Sequence, residues 1–132
     1  MKALSLKMPW PYLIFYNGKD VENRRWSTEY RGNILIHASK NQDPFMVEIV
    51  ARSLPDSLPK NIVKLLKWCG NLVGTIELVD CIKDSKSPWA EEGQWHWILR
   101  NPILFEKPIP CKGALGLWEY SGNISGRAIR MN

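Results

Sequence analysis

Cysteine is scarce in this chain and arranged for nothing: Cys69, Cys81 and Cys111 are odd in number, far apart, and lack a Cys-x-x-Cys or neighbouring histidine pattern. That leaves a disulfide framework and a zinc site without support, and neither a metal nor a cofactor is expected. Long apolar runs are also missing. No stretch approaches the roughly 20 residues needed to cross a bilayer, and the opening MKALSLKMPW has no apolar leader region. The expectation is a reduced, cytoplasmic setting with no membrane partner. Internal repeats are absent, which excludes a solenoid or a propeller. Oligomeric state leaves no mark on the sequence.

What the chain does have is tryptophan and a modest excess of base. Seven tryptophans stand among 132 residues, at Trp10, Trp26, Trp68, Trp89, Trp95, Trp97 and Trp118, and one well-filled core accounts for most of them. An apolar fraction of 45% suits a single domain at this length. Eighteen Lys and Arg against thirteen Asp and Glu give a net charge of +5, a bias toward anionic partners that solubility alone would also explain.

Strand patterns outnumber helical ones. Lys2 to Leu6 alternates as a short strand, and an apolar stretch, Tyr12 to Tyr16, reads as a short helix stopped at Asn17-Gly18. Asn33 to Ser39 is a strand with both faces mostly buried. Asp43-Pro44 then starts a helix running to Leu54, and Asn61 to Cys69 makes a second helical stripe ended by Gly70. Leu72 to Ile82 reads as a central strand, and Gln94 to Arg100 alternates with Trp95, Trp97 and Leu99 on one face. A proline-punctuated run, Asn101 to Pro110, precedes a last strand over Gly113 to Tyr120. The reading is α+β, with one domain over 1–120 and a flexible, weakly basic tail over 121–132.

Between Gly18 and Trp26 every residue but Val21 carries a charge or an amide. Lys19, Glu22 and Arg24 set two cations beside a carboxylate. Arginine grips phosphate oxygens in bidentate fashion and lysine acts as a point charge, while a carboxylate accepts from the exocyclic amine of cytosine or adenine. The plain alternative is a solvated hairpin whose charges pair with each other at little gain. Glu77, in an otherwise apolar strand, needs a partner if buried, and Lys19 or Arg24 would serve. Of the two histidines, His96 shares a face with Gln94 and Arg100 and is the better candidate; for both, a satisfied core role is the ordinary reading. Trp26 and Trp89 come from loops and are placed to stack on a base, worth roughly 1–3 kcal/mol each. Lys40 and Lys112, beside strand ends, are placed to add phosphate contacts.

Several stretches, taken in order, resemble the ASCH branch of the PUA-like superfamily. They are Ser5-Leu6-Lys7-Met8-Pro9-Trp10, Gly18-Lys19-Asp20-Val21-Glu22-Asn23-Arg24, Arg31 to Ala38, Gly74 to Asp80, Gly93 to Trp97, and Pro110 to Trp118. The subgroup is similar to the ASCH domain of activating signal cointegrators. The resemblance implies a small PUA-like β-barrel with flanking helices, two of them inserted between strands. It also implies a cleft lined by the Gly18-Lys19 segment, and RNA, DNA or a modified nucleoside as the ligand class.

Two functions are consistent with that resemblance. The favoured one is a binding module, probed most directly at Lys19, Glu22, Arg24, Trp26, Lys40, Trp89, His96 and Lys112. The other is an ASCH-type hydrolase, acting as an N4-acetylcytidine amidohydrolase or a ribonuclease, in which Lys19, Glu22 and Glu77 would be the catalytic set. The amidohydrolase pattern expects a threonine where this chain has Glu22, so Lys19 would be ion-paired rather than poised as a base. A ribonuclease would draw on Lys19, Ser39 and His96.

Overall fold

The computed structural model describes residues 1–42, 45, 48, 52, 67–124 and 128–130. Its elements are β1 (Lys2–Met8), α1 (Trp10–Tyr16), β2 (Val21–Arg24), β3 (Gly32–Gln42), β4 (Asn71–Ile82), β5 (Trp95–Pro110), β6 (Leu117–Glu119) and β7 (Ala128–Arg130). They form one sheet in the order β2-β5-β4-β3-β1-β6, with β7 also paired to β5. The pairing of β1 with β3 is parallel and the others are antiparallel. Register shifts along β3-β4 and β4-β5 bend the strands, as extra residues in a ladder do, and the sheet curls into a half-barrel.

Burial on both sides of the sheet explains why the strands read as near-continuous apolar runs. Ile34, Ile36 and Ala38 pack with Leu4, Leu6, Leu78 and the fully buried Trp97 under α1. Leu35, on the opposite face of β3, joins Ala3, Leu72, Phe105 and Ile109. α1 begins with Pro11 among its first residues, buries Tyr12, Leu13, Ile14 and Phe15, and ends at Asn17, whose N–H donates to the carbonyl of Leu13 at 3.0 Å.

Two expectations change here. The proline run after Arg100 is not a break: β5 continues through it to Pro110. Pro102 falls between the outer partners of β5, since β2 pairs with residues up to Ile98 and β7 begins at Ile103, so its missing N–H costs no ladder bond there. The last strand is shorter than expected, three residues rather than the full Gly113 to Tyr120 run, because Gly113 to Gly116 form a loop. The two helices expected between β3 and β4 lie largely outside the described residues. Phe45, Glu48 and Arg52 are helical, 67–70 form a turn, and α1 is the one helix whose bounds lie within the described residues. None of the described helices is long and apolar enough to cross a membrane.

Candidate functional site

The sheet leaves a seam, and the seam makes a cleft. β6 pairs with β1 only at Lys2, Ala3 and Leu4, so the outer edge of β1 from Ser5 onward has no strand partner among the described residues. β2 is the strand at the other end of the order, and Arg24 reaches across from it, donating from Nη2 to the carbonyl of Ser5 at 3.1 Å. A cleft of about 1100 Å³ opens along this seam, with Ser5, Trp10, Glu22, Arg24 and His37 on its walls and Lys7, Lys40 and Lys112 at its rim.

Glu22 on the cleft wall is held from behind by the turn that ends α1. Gly18 takes a φ of +69°, a left-handed conformation that glycine adopts without penalty, and Lys19 N–H then donates to the carbonyl of Leu13 at 3.1 Å. That return turns the Lys19 side chain inward, where the residue is 4% exposed. Its ammonium donates to the Val21 carbonyl and, at 3.2 Å, to Glu22 Oε1, and it lies 5.5 Å from the centre of the Trp10 ring. The charge-dense segment is therefore not a solvated hairpin. Arg24 Nε sits 3.2 Å from Glu22 Oε2, yet it is buried and makes no hydrogen bond among the described residues. A guanidinium and a carboxylate thus stand side by side, ion-paired, among the residues that line the cleft.

The opposite wall holds a linked set of polar groups. His37 Nε2 is 2.7 Å from the Cys111 carbonyl and Nδ1 is 3.1 Å from Ser5 Oγ. Since a carbonyl can only accept, Nε2 carries the proton and Nδ1 accepts from the Ser5 hydroxyl. Trp118 Nε1–H donates in turn to Ser5 Oγ at 3.1 Å, and its ring meets His37 edge to face. Burial pulls the His37 pKa below its usual value of 6.5, an effect partly offset by the bond to Cys111. A histidine held deprotonated in the fold stabilises fully above its unfolded pKa and loses that contribution as acid is added. Stability is accordingly expected to fall from pH 6.5 downward through the lowered pKa. Urea titrations at stepped pH will show that slope for the native chain and a flatter one for His37→Gln, and equal slopes would remove His37 from the account.

The predicted site residues divide. Lys19, Glu22 and Arg24 come together, but only Glu22 and Arg24 line the cleft: the expected Gly18-Lys19 lining is replaced by Lys19 buried against Glu22, while Lys40 and Lys112 do line it. Trp26 lies in a separate small hollow behind Arg24, edge-on to Trp97 with centroids 4.7 Å apart. Trp89 packs against the main core and does not line the cleft. His96 is 2% exposed, and both its ring nitrogens are taken by backbone groups, Nε2 by the Glu91 carbonyl at 2.7 Å and Nδ1 by the Ser85 N–H at 3.1 Å. Glu77 meets neither Lys19 nor Arg24. It pairs with Arg100 and Asn101, bonds that hold its carboxyl below the ordinary range, on a strand position facing outward. Sequence reasoning passed over Trp10 and Ser5 and read His37 as a satisfied core residue. The available signal was that Ser5 and His37 interrupt the otherwise apolar runs Ala3 to Leu6 and Ile34 to Ala38.

Residues 4–109 match a family model described as ASCH domain. Activating signal cointegrator 1 from Homo sapiens is 28% identical over 131 residues, covering 92% of this chain. The protein of the same name from Mus musculus is 25% identical over 131 residues and 92% of the chain. The chain spans 22% of the length of each of these relatives.

Proposed function

We propose that this chain, which belongs to the ASCH domain family, is a binding module that holds one nucleotide of a nucleic acid, RNA foremost, in the cleft between β1 and β2. The observation that carries the reading is the ion pair of Arg24 and Glu22 lining a cleft that also carries Lys7, Lys40 and Lys112. Donor beside acceptor complements the edge of an amino-bearing base, whose ring nitrogen accepts while its exocyclic amine donates. Trp10, on the same wall, offers a face for stacking, and Lys7, Lys40 and Lys112 at the rim suit the flanking phosphates.

The same geometry weighs against a hydrolase. A lysine that acts as a base must offer a lone pair, whereas the Lys19 ammonium spends its protons on the Val21 carbonyl and on Glu22. Glu77, the third member of the catalytic set considered above, is committed to Arg100 and Asn101 elsewhere on the sheet.

The test is a titration of tryptophan fluorescence with nucleosides, including N4-acetylcytidine, and with short RNA and DNA strands, followed by chromatography of the ligand. Saturable quenching with the ligand recovered intact is the expected result. Log affinity should fall linearly with log salt, and each of Lys7→Ala, Lys40→Ala and Lys112→Ala should lower the slope by about one. Recovery of deacylated nucleoside or cleaved strand would replace this reading with the hydrolase.

A further inference from the structure

Leu115 is 97% exposed, the most open of the large apolar side chains among the described residues. An isolated surface leucine ordinarily means nothing, but this one has a particular seat. It lines the cleft on the loop between β5 and β6, next to Ala114, also exposed, and three residues after Lys112, which lines the cleft too. The base of the loop is fixed to the wall. The Cys111 carbonyl accepts from His37 at 2.7 Å, the Cys111 N–H donates to the Gly70 carbonyl at 3.1 Å, and Gly113 lies so close that a Cβ there would come within 2.6 Å of Ser5 Oγ and 2.7 Å of the His37 ring. Gly116, with a φ of +66°, makes the turn back into β6. A loop anchored at its base therefore presents a bare apolar side chain to solvent beside a basic cleft.

Resting on the reading that the cleft holds a nucleotide, we propose that Leu115 inserts into the base stack of the bound nucleic acid and fills the gap left by the nucleotide drawn into the cleft. Apolar wedges of this size, leucine among them, part adjacent bases and offset some of the cost of unstacking, and taking a base out of a duplex into a pocket leaves such a gap. The chemistry of the lining fits a strand: Lys7, Lys40 and Lys112 for the phosphates and one exposed hydrocarbon side chain, Leu115, for the bases. Leu115 would act as a positioning residue, holding the nucleic acid open without touching the captured base.

The experiment uses short DNA and RNA duplexes carrying 2-aminopurine, whose fluorescence rises when it unstacks, at one central position, titrated with the full chain. The native protein should bind and raise the fluorescence. Leu115→Gln should bind about tenfold more weakly and lose most of the rise, Leu115→Met should keep both, and a single nucleoside should bind all of these proteins equally, since no stack has to be opened. A Leu115→Gln variant that binds and unstacks the duplex like the native chain overturns the wedge and leaves the nucleotide cleft standing. Failure of the native chain to bind any strand or nucleoside overturns the cleft reading and the wedge with it. Comparing the DNA and RNA arms identifies which duplex is opened.

Discussion

Lys19→Met is expected to abolish binding in the cleft and to destabilise the fold by about 3 kcal/mol. The Lys19 and Glu22 side chains are 3% and 10% exposed and lie 3.2 Å apart, so removing the cation leaves a carboxylate with little water and only Arg24 as counter-charge. Breaking a buried pair costs more than the pair contributes, because the surviving ion keeps its desolvation penalty. The double variant Lys19→Met/Glu22→Gln should regain much of the lost stability and none of the binding. Glu22→Gln alone should be milder, since the ammonium keeps the Val21 carbonyl and the Trp10 face. Urea denaturation of the four proteins closes a cycle whose coupling energy measures the pair. Additive effects of the two substitutions would show that Glu22 is not held by this interaction, and the argument that Lys19 is committed as a cation would fall with it.

How far the sequence could be read depended on what kind of constraint each residue answers to. Local constraints were legible. Asn17-Gly18 ends α1 because glycine accepts the left-handed turn, and the alternation of Trp95, Trp97 and Leu99 follows the two-residue period of a strand. The grouping of Lys19, Glu22 and Arg24 was legible for the same reason, since a short strand and the turn before it place them without help from elsewhere. Partners at long range were not. Glu77 takes Arg100 because β4 and β5 run antiparallel with those two residues opposite each other, a register that depends on bulges invisible in composition. His96 looked like the better histidine because its face of the strand is polar, but the Ser85 and Glu91 backbone folds over that face and consumes both ring nitrogens. His37 looked like core and is core by exposure, 2%, yet it lines the cleft because β6 stops short and leaves Ser5 at a free edge. Trp10 was absorbed into the count of core tryptophans for want of any sign that a seam would open beside it.

The half-barrel and the cleft wall share one point of support, which Gly74→Ala should expose. A Cβ at Gly74 would stand 2.3 Å from the Ile103 carbonyl oxygen and 2.7 Å from Phe15 Cζ, both well inside any tolerable contact. The carbonyl belongs to β5, where Ile103 pairs with Thr75 on one side and Arg130 on the other, so it cannot retreat without breaking a ladder. The ring belongs to α1, which rests on the bare Cα of Gly74. Overpacking of this kind costs typically 1–3 kcal/mol, and two clashes against constrained groups put Gly74→Ala at about 3 kcal/mol, read as a lower urea midpoint with an unchanged slope. Phe15→Leu in the Gly74→Ala background should recover only the ring's share, because the backbone clash persists. Displacement of α1 also carries its C-terminal end, and with it Gly18 and Lys19. Nucleoside binding should therefore weaken in Gly74→Ala even under conditions where the protein remains folded. A variant within about 0.5 kcal/mol of the native chain, binding as tightly, would show that the helix does not sit where its contacts place it, and that Lys19 owes its position to something other than the seating of α1 on the sheet.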